Sequence, residues 1–364
     1  MKIFKEELVK SKNYIGGKSI EEVAGPGRKI YKLSSNENAL GISPMAIEAA
    51  QKAATSLSIY PDGTPKKLAD AIAASYGGAI TPEQVLIGNS GSEVIEILVR
   101  GFLDKGTEYI VANPTFQLYR ILGIKMGAEQ VDVRLKENWT LDIEGIANAI
   151  NDKTRLLYIT NPNNPTGTIY SYQELDELFK HVPDEVIIVY DEVYERYVDN
   201  KNYATAMRWL EQGKNIIGIN SFSKMYGMAG MRLGYGYTNL MLADYLRKLT
   251  RPFMINSVAL AAGIAAINDV GFIEKSVKHV KEEKKYLYDE LDRLAVEYWK
   301  SESNFIMIRL SEKADDFEEF MLSQDVMVRP VGYFGAEGCV RVTVGTVEGN
   351  RAYIKGLEKF LARP

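Results

Sequence analysis

The fold is decided by a stretch of the chain that reads NIIGINSFSKMYGMAGMRLGYGY and covers residues 215–237. It opens with the apolar run NIIGIN (215–220), passes through a polar loop, and closes with a second apolar run, LGYGY (233–237). Short apolar runs that stop at polar or glycine-rich residues are typical of buried β-strands. We therefore interpret the polar loop, with its Lys224, as lying at the end of a strand.

Four more runs of the same kind lie upstream. They read QVLIGN (84–89), EYIVAN (108–113), RLLYIT (155–160) and EVIIVYDE (185–192). Because these runs are apolar throughout and alternate with helical patterns, they predict an α/β fold with a mostly parallel sheet covered by helices on both faces. Open sheets of this kind bind ligands in the crevice beyond the carboxyl ends of the strands, so we expect the chemistry there.

The C-terminal third has a different pattern. A long charged helix near 272–299 is followed by a strand at 305–310, an acidic helix near 313–323, strands at 326–330 and 339–344, and a closing helix. This order is typical of a smaller α+β lobe. We therefore predict a large domain over 41–260, with 1–40 and 261–364 forming an N-terminal arm and a small C-terminal lobe.

The composition narrows the class of function. The 364 residues carry 44 basic and 48 acidic side chains, a formal net charge of −4, and no basic block that would favour a nucleic-acid partner. The longest weakly charged stretch, 253–268, is too short to span a membrane, and two histidines in charged surroundings give little support for a metal site. A single cysteine and a charged N-terminus favour a cytoplasmic protein.

The loop SFSK (221–224) carries the sharpest chemical signal. Lys224 is either a solvated charge or a working amine, and Arg232 follows eight residues later. The hydroxyls of Ser221 and Ser223, together with a guanidinium, match the oxygens of a phosphate group. We interpret the loop as the holder of a phosphorylated cofactor that the lysine binds covalently.

A second phosphate-compatible element is GNSGSEVIEIL (88–98), in which Ser90, Gly91 and Ser92 precede a helical pattern. Backbone N–H groups at a helix N-terminus bind anions, and glycine lets a phosphate approach closely. The motif matches neither a dinucleotide fingerprint nor a P-loop. A plain helix cap remains an equal interpretation.

Three further residues follow other predicted strands. Asp191 ends a buried run, where an unpaired charge is costly and a pyridinium nitrogen would be a suitable partner. Asn164, in NPNNPTG (161–167), has an amide that can donate to a phenolic oxygen, although the motif also reads as a simple turn. Phe116, in PTFQLY (114–119), can stack on a planar cofactor.

Taken together, SFSK, NPNNPTG, DEVY, PTFQLY and RVTVGT resemble the pyridoxal-phosphate aminotransferases of fold type I. More narrowly, the chain resembles the histidinol-phosphate aminotransferase family. This finer resemblance rests on YIGGKSIEEV (14–23), KLSSNENALG (32–41), YPDG (60–63), SGSEVIEIL (90–98), VRPVGYFG (328–335) and CVRVTVGT (339–346).

The resemblance implies a role for each residue that would touch the cofactor ring. Lys224 would bind the pyridoxal phosphate aldehyde and later move a proton, and Asp191 would keep the ring nitrogen protonated. Asn164 and Tyr194 would hydrogen-bond the phenolate oxygen, and Phe116 would stack on the ring. The cofactor phosphate would be held by Ser90, Gly91, Ser92, Ser221, Ser223 and Arg232.

The resemblance also implies a shared site and a substrate pocket. Tyr60 would reach the cofactor phosphate of the neighbouring subunit in a homodimer. Arg341 would bind the carboxylate of an amino-acid-like substrate or a 2-oxo acid, and Arg329, Tyr14 and Asn38 would line the pocket. The chain reads NENALGISP (36–44) where relatives commonly read NENPLGPSP, and this difference bears on the substrate.

The leading functional hypothesis is therefore the transfer of an amino group between histidinol phosphate and 2-oxoglutarate in histidine biosynthesis. An aromatic amino-acid aminotransferase acting on phenylalanine or tyrosine is the alternative, followed by a decarboxylase of phospho-amino acids. Arg329 favours the phosphorylated substrate because it can hold a second anion. A ligand-sensing regulator would need a DNA-binding segment, for which we see no room.

Overall fold

The computed structural model describes residues 3–11, 16–23 and 27–363. Its helices are α1 (Glu6–Lys10), α2 (Ile20–Val23), α3 (Pro44–Ala54), α4 (Lys66–Ser75), α5 (Gly91–Phe102), α6 (Leu118–Met126), α7 (Ile143–Ala149), α8 (Tyr172–Lys180), α9 (Met207–Leu210), α10 (Leu240–Arg247), α11 (Ser257–Asn268), α12 (Val270–Arg293), α13 (Ala314–Ser323) and α14 (Val347–Leu361). Its strands are β1 (Tyr31–Lys32), β2 (Val85–Gly88), β3 (Glu108–Asn113), β4 (Glu129–Arg134), β5 (Thr154–Thr160), β6 (Ile187–Asp191), β7 (Ile216–Ser221), β8 (Gly234–Tyr237), β9 (Phe305–Arg309), β10 (Val326–Met327), β11 (Arg329–Pro330) and β12 (Cys339–Thr343).

The central sheet has seven strands in the order β2-β8-β7-β6-β5-β3-β4. Every residue of β6 and β7 is buried. Side chains of β6 alternate between two cores, with Ile188 and Tyr190 on one face and Ile187 and Val189 on the other. Apolar material on both faces is what a helix-covered parallel sheet requires. The six apolar runs of the sequence are all strands, and the predicted α/β fold is confirmed.

Two features of this sheet differ from the sequence pattern. The strand β4 was absent from the predicted runs because it reads EQVDVR and lies at an exposed edge. The strand β8 runs antiparallel to both β7 and β2. A side chain at Gly234 would collide with the backbone nitrogen of Gly91, so glycine is required where β8 passes the start of α5.

The C-terminal third forms a smaller α+β unit. Its sheet is antiparallel in the order β11-β12-β9, α13 packs against β11, and α14 packs against α13 and the short strands β1 and β10. The predicted strand at 326–330 is two strands, since β10 pairs with β1 while β11 pairs with β12. The long helix ends at Arg293, before the expected 299. The domain boundary at 260 stays a prediction and falls within α11, which packs against α3.

The arm segment, defined as residues 33–38, is hydrogen-bonded both to β12 of the smaller antiparallel sheet and to Tyr194, which follows β6 of the central sheet. Its first residue, Leu33, donates its N–H to Met327 and accepts from the N–H of Thr343. These bonds place the segment beside β12, at the edge where the strands of the central sheet end.

The helices α11 and α12 meet at Asp269, whose carboxylate caps α12 by accepting from the N–H of Phe272 at 3.2 Å. The same carboxylate accepts from the hydroxyl of Ser43 at 2.6 Å.

Across the described residues, no single helix has the length and apolar character needed to cross a membrane. The helices α11 and α12, bent by 74° relative to each other, meet the length and composition requirements when they are counted together.

Candidate active site

A cavity of about 490 Å³ opens at the carboxyl ends of β5, β6 and β7, marked by Thr160, Asp191 and Ser221. This is the edge at which parallel sheets bind ligands. The structure brings most of the predicted site residues to its wall, namely Ser90, Gly91, Ser92, Phe116, Asn164, Asp191, Tyr194, Ser221, Ser223, Lys224, Arg232, Arg329 and Arg341.

Three predicted residues are placed elsewhere. Tyr14 lies outside the described residues. Tyr60 is 81% exposed and packs its ring 5.0 Å from that of Phe253, outside the cavity lining. Asn38 also lies outside the lining, and its amide donates to Met225 O at 2.7 Å and to Ser276 Oγ at 3.0 Å. Within this chain, Asn38 therefore fastens the arm segment to the loop after Lys224.

Lys224 projects from the loop after β7 and is half-buried at the cavity wall. Its Nζ donates to Ser35 O at 3.1 Å and lies 5.8 Å from the ring centre of Tyr194. Burial, reinforced by the charge of Arg341, lowers the pKa of Lys224 to about 8. A lysine with such a pKa has a sizeable neutral fraction near neutral pH, which makes its amine a nucleophile for carbonyl groups.

Asp191 ends β6 and is only 5% exposed. Its carboxylate accepts from Tyr119 Oη at 2.7 Å and from the N–H of Val193 at 3.4 Å. Burial raises the pKa of Asp191, while these hydrogen bonds and the charge of Lys224 act in the opposite direction. A buried carboxylate held in this way is suited to a cationic partner.

Tyr119 is a site residue to which the sequence analysis assigned no role. It is the last residue of PTFQLY, is fully buried, and stacks on Tyr158 with ring centres 4.3 Å apart. Its Oη lies 2.9 Å from Thr160 Oγ1, and because its one proton goes to Asp191, the threonine is the donor in that pair. The spacing of three residues from Phe116, at the start of a helix, was the available signal.

Asn36 is a second residue that the sequence analysis missed. It is buried, lines the cavity, and donates from Nδ2 to Tyr194 Oη at 3.0 Å. Its φ of 56° lies in the left-handed region, which asparagine tolerates better than most residues. Thr343 Oγ1 donates to its side-chain oxygen at 3.1 Å and so fixes the direction of the amide.

Arg341 is 6% exposed and held from two sides. Its Nη1 donates to Asn164 Oδ1 at 2.5 Å, and its Nη2 donates to Ser34 O at 2.8 Å. The rings of Phe305 and Phe334 lie 5.5 and 5.7 Å from the guanidinium carbon. With its oxygen bound by the arginine, Asn164 has its nitrogen as the end that can donate to a ligand.

The start of α5 and the loop after β7 form a cradle for an anion. Ser90 has a φ of 82° and leads into the first turn of α5, the end of the helix whose N–H groups carry a partial positive charge. Ser221 Oγ accepts from the N–H of Ser223 at 3.1 Å, which shapes the opposite side. Arg232, with a φ of 54°, completes the lining.

The charges in the described part of the lining favour anionic ligands. The basic residues are Lys224, Arg232, Arg329 and Arg341, and the acidic residues are Glu37 and Asp191. The donor set fits pyridoxal phosphate: the cradle suits its phosphate, the amine its aldehyde, and the buried carboxylate its ring nitrogen.

The chain is similar to known proteins over nearly its whole length. Residues 28–357 match the family model for aminotransferase class I and II. A histidinol-phosphate aminotransferase from Moorella thermoacetica is 36% identical over 98% of this chain and 93% of its own. Histidinol-phosphate aminotransferase 2 from Carboxydothermus hydrogenoformans is 37% identical, with 98% and 99% covered. A crystal structure of histidinol-phosphate aminotransferase from Sinorhizobium meliloti in complex with pyridoxal-5'-phosphate has a TM-score of 0.87 at 20% identity, covers 98% of this chain and 97% of its own, and shares the fold.

Proposed function

The chain belongs to the class I and II aminotransferases, and we propose that it transfers an amino group between histidinol phosphate and 2-oxoglutarate, using pyridoxal phosphate. This reaction is a step of histidine biosynthesis. Two histidinol-phosphate aminotransferases, 36% and 37% identical to the chain over nearly its full length, support the proposal. The observation that carries it in the structure is a pair of arginines at the cavity wall, Arg329 and Arg341.

The residues around the cofactor divide the work of amino transfer. When bound, pyridoxal phosphate supplies an electron sink and carries the amino group between the two substrates. Lys224 holds the cofactor and moves a proton at the substrate Cα, for which a pKa of about 8 is well matched. Asp191 would hold the proton at the ring nitrogen, and Asn164 and Tyr194 would donate to the phenolate oxygen. Phe116 would pack against the ring.

The two arginines face each other in the register of β11 and β12. Directly opposed residues of an antiparallel pair point to the same face, and like charges so placed repel each other. A bound anion relieves this repulsion, and a dianion relieves it more than a monoanion. The phosphate ester of histidinol phosphate is attached to the carbon that corresponds in position to the α-carboxyl carbon of glutamate. One arginine pair can therefore serve both substrates.

The Arg329→Gln variant tests whether the substrate is histidinol phosphate or an aromatic amino acid. The variant loses a charge-assisted hydrogen bond worth about 1.5 to 3 kcal/mol, so kcat/KM for histidinol phosphate should fall about 10- to 150-fold. Phenylalanine presents only a carboxylate, and its kcat/KM should fall less. Arg309→Gln is the control, because Arg309 pairs with Glu297 away from the cavity.

Equal losses for the two substrates in Arg329→Gln would contradict a phosphate site at this arginine. A wild-type preference for phenylalanine or tyrosine over histidinol phosphate would support the aromatic aminotransferase instead. Release of CO₂ from a phospho-amino acid would point to the decarboxylase.

We also propose that the protein works as a cytoplasmic homodimer with a shared site. Leu57, Ile59 and Tyr60 are 56%, 71% and 81% exposed, and Phe253 beside them is 48% exposed. Tyr60 and Phe253 are in contact, and exposed apolar side chains grouped in this way are typical of an interface. Sedimentation should give the mass of two chains, and a fully active monomer would contradict the shared site.

A further inference from the structure

The hydroxyl of Ser34 has no role in the site described so far. Ser34 is 4% exposed and lines the cavity, yet its Oγ has no hydrogen-bond partner among the described residues. Its own carbonyl oxygen, by contrast, accepts from Arg341 Nη2 at 2.8 Å. A buried hydroxyl without a partner costs free energy, so a ligand that supplies the partner gains affinity.

The surroundings of Gly17 show which groups lie near this hydroxyl. A methyl carbon placed on Gly17 would lie 3.5 Å from Ser35 Oγ and 3.9 Å from both Ser34 Oγ and Arg329 Nη1. Three polar atoms, two from the neighbouring residues Ser34 and Ser35 and one from the distant Arg329, therefore surround one point of the cavity wall. Arg329 is turned this way by Gly16, whose carbonyl oxygen accepts from Nη1 at 3.1 Å.

We propose that Ser34 is a specificity-determining residue whose hydroxyl donates to the anionic group of the substrate, beside Arg329 and Arg341. The inference rests on the proposed function, because it assigns a residue to the substrate phosphate. A phosphate ester has three terminal oxygens and a carboxylate has two. The two guanidiniums and the hydroxyl together supply a donor for each phosphate oxygen, while a carboxylate leaves one donor unused.

A merely structural role for Ser34 predicts a different outcome. If the hydroxyl stabilised the fold, its removal would lower the thermal midpoint. An unpartnered hydroxyl contributes no such bond, so the midpoint of Ser34→Ala should stay the same or rise. Ser303→Ala is a matched control, since Ser303 is also buried with an unpartnered Oγ among the described residues but lies outside the cavity lining.

The experiment uses the holoenzyme, in which the cofactor occupies the first phosphate site, and inorganic phosphate as the probe. Inhibition of the glutamate half-reaction by phosphate should weaken about 10- to 100-fold in Ser34→Ala, as expected for a lost bond to a charged acceptor. The same variant should lose a similar factor in kcat/KM for histidinol phosphate and less for glutamate. Ser303→Ala should match the wild type in both measurements.

The outcomes separate this inference from the proposed function. The role of the hydroxyl is overturned if phosphate inhibits Ser34→Ala as strongly as it inhibits the wild type. It is also overturned if the variant loses the same factor in kcat/KM for histidinol phosphate as for glutamate. Either result leaves the aminotransferase assignment untouched. A wild type that is not inhibited by phosphate overturns the role of the hydroxyl as well. If phosphate inhibits the wild type through Ser34 but the wild type turns over histidinol phosphate poorly, the proposed substrate is wrong. Another phosphorylated substrate is then supported.

Discussion

The cavity has two walls that the chain builds in different ways. The cofactor wall consists of strand ends and the start of α5, and its residues, such as Asp191 and Ser221, directly follow or end their own buried strands. The substrate wall joins the arm segment to β11 and β12, so Ser34 and Arg341 meet although 307 residues separate them. The cofactor wall is thus fixed by local sequence, and the substrate wall by the packing of distant parts. Changes in the first should affect every substrate alike, and changes in the second should discriminate.

The largest effect is expected at Lys224 in the cofactor wall. Lys224→Ala removes the amine that holds the cofactor and moves the proton, so turnover should fall by at least about 10⁴-fold for both substrates. The wild-type protein should be yellow, and the absorbance of lysine-bound cofactor should be lost in the variant.

Lys284→Ala is the control for this change. Lys284 is also half-buried with a pKa lowered to about 8 by burial, but its Nζ donates to Ser301 O outside the cavity lining. It should keep both colour and turnover. A Lys224→Ala protein with the absorbance and turnover of the wild type would mean that another amine does the chemistry.

Asp191→Asn should have the next largest effect. Breaking a buried charge pair costs about 3 to 5 kcal/mol, which corresponds to a loss of about 150- to 5,000-fold in turnover, again for both substrates. Stopped-flow measurement of each half-reaction tests this. Near-normal rates, or a loss confined to one substrate, would remove Asp191 from the ring nitrogen. Asp176→Asn, which loses a partner of Arg208 away from the cavity, should keep its kcat.

The smallest effect is expected at Tyr119, which acts through Asp191. Tyr119→Phe removes a hydrogen bond to a charged acceptor, so the pKa of Asp191 should rise and turnover should fall about tenfold. The pH at which turnover begins to rise should shift upward. Tyr158→Phe is matched, because Tyr158 is buried, stacks on Tyr119, and has a hydroxyl with no partner among the described residues. If both variants behave alike, packing rather than the hydrogen bond is responsible.

The sequence predicted the buried strands of the fold because each is apolar on both faces, as in β6 and β7. It did not predict β4, whose outer position allows the polar sequence EQVDVR. The direction of β8 was equally hidden, since an apolar strand reads the same whether it is parallel or antiparallel to its neighbours. The apolar pattern and the length of a run indicate that a strand is buried. Which strands pair, and in which direction, depends on how the elements pack together.

The same distinction explains the site. Lys224 and Asp191 were predicted because one follows a recognisable strand and the other ends one. Asn36 and Ser34 were not, because their partners Tyr194 and Arg341 lie 158 and 307 residues away and nothing in the local sequence reveals such contacts. Tyr119 was within a quoted motif, but its bond to Asp191 needs the relative placement of α6 and β6, which periodicity does not give.

The arm segment has a consequence for how the protein is made. Its hydrogen-bond partners Tyr194, Lys224, Ser276, Asn304 and Arg341 lie between 158 and 307 residues further along the chain. During synthesis the arm segment leaves the ribosome before any strand of the central sheet, while β12, which it must meet, is translated among the last elements. The segment is therefore made early and placed late. A nascent chain that has already folded its central sheet still lacks a finished substrate wall, so chemistry on substrate begins only after the final strand has arrived.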